Sequence, residues 1–113
     1  MATTAAALLN TPNSQAEFDI WAFSLNANIR EIQQAIFEQK GERLPALQLY
    51  PVPLPALDQW LQRVGDALDQ ICGAVGIAAV DVENIDIEDD RERQRLANSV
   101  FFEVQQARQM LRI

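Results

Sequence analysis

Few residues in this chain could do chemistry. Histidine is absent. That removes imidazole zinc sites, Ser–His and Cys–His catalytic pairs, and the usual proton shuttle at neutral pH. The single cysteine, Cys72, rules out an intrachain disulfide. It sits beside Ile71 and near Val75, so it reads as a small core residue rather than a nucleophile. Carboxylates gather at Asp81, Glu83, Asp86, Glu88, Asp89 and Asp90, a set that would hold a hard cation if its spacing were right. The EF-hand register fails, because no glycine lies at the turn position and no Glu closes the loop. A solvated acidic loop leading into a helix cap is the preferred reading, with a cation site between subunits as the alternative. Paired carboxylates for acid–base work need a desolvated concave site, and this connector offers none. The four glycines are isolated, so there is no phosphate-binding loop, and there is no CxxC. Trp21 and Trp60 read as core or interface anchors rather than a ligand box. No catalytic, cofactor-binding or metal residue is predicted, no cofactor is expected, and the chain is expected not to be an enzyme.

What those residues would be mounted on is plain from the apolar spacing. Phe18, Ala22, Leu25, Ile29, Ile32 and Ile36 recur every three or four positions. So do Leu57, Leu61, Val64, Leu68, Ile71 and Val75, and again Ala97, Val100, Val104, Ala107 and Leu111. Such a stripe lines one side of an α-helix, and three of them predict an all-α three-helix bundle sharing a seam. The helices are expected at about 14–40, 55–75 and 89–112, within a single helical domain over 14–113. Ser14 and Glu17 fit a capping box, and Gly41 is a natural helix stop. Pro55 suits the first turn of the second helix, and Asp58 favours its positive dipole end. Gly65 lies mid-helix, where it costs roughly 1 kcal/mol against Ala, so a close helix approach is expected there. Asp89 or Asp90 opens the third helix and Arg112 sits at its negative end. Arg91, Arg93 and Arg95 can pair with the acidic loop.

Charge narrows the partners. Acids outnumber bases 16 to 9, for a net charge of -7, which disfavours nucleic acid and anionic membrane surfaces. It suits a partner with a basic patch. Residues 1–13 contain no Lys or Arg and are expected to form a flexible N-terminal arm, not a signal peptide. No segment is apolar for long enough to span a bilayer.

The connector over 42–54 is unusual. Pro45, Pro51 and Pro53, with Pro55 just beyond, forbid a continuous helix, yet Leu44, Leu47, Leu49, Tyr50, Val52 and Leu54 make the segment apolar. Connectors between helices are normally shorter and more polar. This one should pack, either over the ends of its own bundle or into another subunit. Phe101 and Phe102 cannot both enter one seam, so one of them should cover the connector or a partner. The candidate partner-binding residues are therefore Leu8 and Leu9 of the arm, Leu47, Leu49, Tyr50, Val52 and Leu54 of the connector, and Phe101 and Phe102.

The order of features resembles that of small proteins encoded among the structural genes of tailed bacteriophages. The matching stretches run from Thr11-Pro12-Asn13-Ser14 into Phe18-Asp19-Ile20-Trp21-Ala22-Phe23, and then from Ile32 through Gly41. Leu44-Pro45, the apolar Pro-rich connector and Trp60-Leu61-Gln62 follow. The acidic Asp/Asn connector and the ending Leu111-Arg112-Ile113 complete the pattern. Sequences of that type often carry histidine at the positions of Leu25, Ile29, Val64, Leu68 and Val104, which are all aliphatic here. The resemblance implies a virion part at the head surface or the head–tail neck, made in the host cytoplasm, and no activity.

The expected function is thus a non-enzymatic virion structural protein, present in multiple copies and binding capsid, portal or neck subunits. The alternatives are an assembly chaperone or adaptor, and a small acidic phage-encoded inhibitor of a host protein.

Overall fold

A computed structural model describes residues 14–45, 53–79, 82, 85–86 and 88–113, save for the Leu54 side chain. The protein is all-helical, with no strand among the described residues, and its three helices pack against one another. Helix α1 is Gln15–Lys40, α2 is Leu57–Val75 and α3 is Asp90–Leu111.

Each boundary has a local cause. The Ser14 hydroxyl accepts from the Glu17 N–H at 3.2 Å and starts α1. Gly41, at φ 68°, stops it, and its N–H returns to the Phe37 carbonyl. Helix α2 begins after Pro55 rather than at it, because Leu54–Ala56 forms a 3₁₀ turn closed by the Ala56 N–H on the Pro53 carbonyl. Gly76, at φ 78°, ends α2 in the same left-handed manner as Gly41. The Asp89 carboxylate accepts from the Arg91 N–H at 2.9 Å and opens α3.

The predicted stripes are the core. Phe18, Leu25, Ile29, Ile32 and Ile36 from α1 meet Trp60, Val64, Leu68 and Ile71 from α2 and Val100, Val104 and Leu111 from α3. Leu25, Ile29, Val64, Leu68 and Val104 all lie inside it, so this bundle has hydrocarbon at its centre.

The contacts between helices also fix their direction. The Phe18 and Trp21 rings, at the start of α1, stand 5.1 and 4.9 Å from the Trp60 ring at the start of α2. Late in α2, the Cys72 thiol donates to Glu103, in the second half of α3. Arg108 reaches Asn28 and Glu31 in the second half of α1, while Gln39 near its end donates to the Leu111 carbonyl. Starts match starts and ends match ends, so all three helices run in the same sense.

That topology explains the long connectors. Antiparallel neighbours need only a few residues, whereas parallel ones need a segment that returns the length of a helix. At about 1.5 Å per residue α2 is about 28 Å long, within reach of an extended connector at about 3.3 Å per residue. The described start of the first connector runs back along the flank of α1. Arg43 stacks on Phe37, Leu44 packs on the core, and the Pro45 carbonyl accepts from Gln33 at 3.1 Å. This part of the connector therefore lies along the side of its own bundle, not over an end. The second connector passes α2 at Gly65, where an added Cβ would stand 2.6 Å from Val82 Cγ2. The close approach expected at Gly65 is real, but the neighbour is this returning strand of chain, not a helix.

Candidate interaction surface

The enclosed polar side chains among the described residues lie in or against the core. Cys72 is buried, and burial together with the Glu103 hydrogen bond and the nearby Glu103 and Asp69 charges pushes its thiol up from 9.0 to about 12. A thiol held neutral in this way is a poor nucleophile. Asn28 is the one buried polar residue among those described. Its amide donates to the Ser24 carbonyl at 2.9 Å and its oxygen faces Arg108, which also holds Glu31 at 3.0 Å. This network ties α1 to α3 and leaves nothing free to react. The Trp60 indole N–H is buried without a partner, a cost of about 1–3 kcal/mol that its ring contacts offset. Both tryptophans are core residues.

The described acids of the second connector are engaged locally. Among the described residues no group of three acids, cysteines or histidines comes together. Asp86 accepts from the Glu88 N–H, and Asp89 caps α3. Of the arginines behind the loop, Arg93 reaches the last of its carboxylates, Asp90. Arg93 pairs with Asp90, and Arg95 with Glu92 at 3.0 Å, both within α3. Spacing of three residues brings both sets of partners together on the helix surface.

What remains is surface. Of the predicted partner-binding residues, Leu8, Leu9, Leu47, Leu49, Tyr50 and Val52 lie outside the described residues, as does the Leu54 side chain. Phe101 is half-buried and packs on the core, while Phe102 is 60% exposed. The two adjacent rings thus divide as expected, with Phe102 facing away from the bundle.

The larger apolar surface was not among those residues. Ile20 is 59% exposed and Phe23 is 73% exposed on α1. With Ala16 and Ala27, both exposed, they are spaced 4-3-4, so they form a second stripe on the helix. At about 100° per residue this stripe falls opposite the buried one. Residues continuing the same rows are Arg30, Gln34 and Phe37, the last partly covered by Arg43. The signal was present in the sequence as two interleaved stripes on one helix. It was masked because one stripe sufficed to explain folding. No helix of the described residues is long and apolar enough to cross a membrane.

No family model matches the chain, and neither does any curated protein or solved structure.

Proposed function

We propose that this chain is a non-catalytic structural subunit of a tailed-phage virion, used in multiple copies and acting by binding other virion proteins. The observation that carries the reading is the outward stripe Ala16, Ile20, Phe23 and Ala27 on α1. Two large apolar side chains more than half exposed on one helix, opposite its core face, gain nothing for the folded monomer. They gain when a partner covers them, at about 25 cal/mol per Å² of apolar surface removed from water. Phe102 on α3 offers a second apolar contact of the same kind. The absence of histidine and the neutral, buried Cys72 fit a protein that works through surfaces. The tailed-phage part of the reading rests on the resemblance that runs from Thr11 onward.

Mass spectrometry of purified particles tests this directly. The chain is expected among the particle proteins in many copies, and Phe23→Ser should lower its incorporation while leaving the purified chain helical. A chain missing from finished particles would sink the reading, and so would full incorporation of a variant carrying both Ile20→Ser and Phe23→Ser.

A further inference from the structure

The second half of α1 borders an open groove of about 280 Å³ lined by Arg30, Gln33, Gln34, Phe37, Arg43 and Leu44. It is unusual for this acidic chain, because among the described residues its lining holds two guanidinium groups and no carboxylate. Neither Arg30 nor Arg43 forms an ion pair among the described residues, whereas Arg93, Arg95 and Arg108 each do. Arg43 lies over the Phe37 ring at 4.7 Å from its centroid, which holds the planar cation in place with its N–H edge free. The Gln33 amide adds a fixed contact by donating to Pro45. Two arginines beside an aromatic ring form a receptor for carboxylates, since the guanidinium fork matches the two carboxylate oxygens.

The parallel topology supplies the carboxylates and puts them out of reach. Because all three helices start at one end, their first-turn acids Glu17, Asp58, Asp90 and Glu92 gather there, answering three aligned dipoles. Asp86 and Glu88, both exposed, sit at the same end, just before α3 begins. Glu88 has no ion-pair partner among the described residues. From the start of α1 to Arg30 is about 22 Å at 1.5 Å per residue, so these acids cannot enter the groove of their own chain.

From this we infer that the Arg30–Arg43 groove receives the Asp86–Glu88 end of a second copy, giving head-to-tail self-association. The contact joins two different surfaces of the same chain, so it propagates into a ring or a filament and does not stop at a two-fold dimer. This rests on the multi-copy reading above and names the contact that would build it.

The test is sedimentation of the full chain over a range of concentrations. Self-association is expected at about 0.01 M salt and its loss at about 1 M, where the screening length falls from about 30 to about 3 Å. The double variant Arg30→Glu with Arg43→Glu should be monomeric in low salt, and so should Asp86→Arg with Glu88→Arg. Far-ultraviolet circular dichroism should show both as helical as the parent chain. Mixing the two variants in equal amounts restores opposite charges across the contact and should restore association. A chain monomeric at every concentration in low salt overturns the inference, as does association that survives the arginine reversals or a mixture that stays monomeric. A monomer still found in purified particles would overturn the groove contact alone. Salt-sensitive association by a chain missing from particles would overturn the virion reading alone.

Discussion

Helices α1 and α2 run side by side into the same core but meet water differently. The outer face of α2 carries Gln59, Gln62, Asp66 and Asp69, as a helix with one job should. The corresponding face of α1 carries Ala16, Ile20, Phe23 and Ala27. Both helices fill the core through the same spacing, with Ile29 and Leu68 each fully buried. Folding therefore accounts for every large apolar side chain of α2 but leaves Ile20, Phe23 and Phe37 of α1 exposed. That remainder is the surface which the proposed partner contact would cover. The second half of α1 adds Arg30, and the connector folded back on it adds Arg43, where α2 has no comparable pair of cations.

The sharpest way to break this comparison is to remove equal amounts of hydrocarbon from the two faces of α1. Ile29→Ala should cost about 2–5 kcal/mol in chemical denaturation, because it leaves a cavity in the core. Leu68→Ala on α2 should cost a similar amount. Ile20→Ala should change stability by no more than about 0.5 kcal/mol. Equal losses at positions 20 and 29 would mean that the outer stripe is not outer.

Gly65→Ala probes the returning connector on α2. Better helix propensity favours the change by roughly 1 kcal/mol, but the new methyl meets Val82 at 2.6 Å. Overpacking at about 1–3 kcal/mol should win, so the variant is expected to be destabilised. Adding Val82→Ala should recover most of the loss, and a double-mutant cycle would measure that coupling.

Cys72 gives a pH-dependent difference between the helices, confined to alkaline solution, since α1 has no thiol. Its pKa is raised from 9.0 to about 12, so the folded chain keeps a proton that the unfolded chain loses. The resulting stabilisation is complete below pH 9 and is lost as pH rises through the window to about 12, at no more than about 1.4 kcal/mol per pH unit. The Cys72→Ala variant should show a flatter stability profile there. At pH 8 the native thiol should resist alkylation that readily labels the denatured chain.

The smallest effect on stability should come from Phe23→Ser, within about 0.5 kcal/mol of the parent chain. Its effect should appear in particle incorporation, which separates a partner-binding face from a folding one.

Much of this molecule was legible in its spacing. The stripes through Leu25, Leu68 and Val104 located three helices and their core, because side-chain direction repeats locally every three or four residues. Ser14, Gly41, Gly76 and Asp89 set their ends through bonds within one turn. The candidate surface was less legible. Phe102 is readable because two adjacent rings cannot share a seam, whereas Ile20 and Phe23 fall outside the spacing that predicts the core face of the first helix. Trp21, between them in sequence, is buried while Ile20 and Phe23 are not.

The direction of the helices and the company each side chain keeps were decided by tertiary structure. Spacing specifies which side of a helix is apolar, but it is the same read upward or downward. Parallel packing brought the acidic starts of all three helices to one end and left Arg30 and Arg43 together on a flank about 22 Å away. It also laid the described start of the apolar connector, through Pro45, beside α1 and placed Val82 against Gly65. Those juxtapositions depend on chain reversals many residues long, whose cost grows only slowly with length and so leaves little local trace.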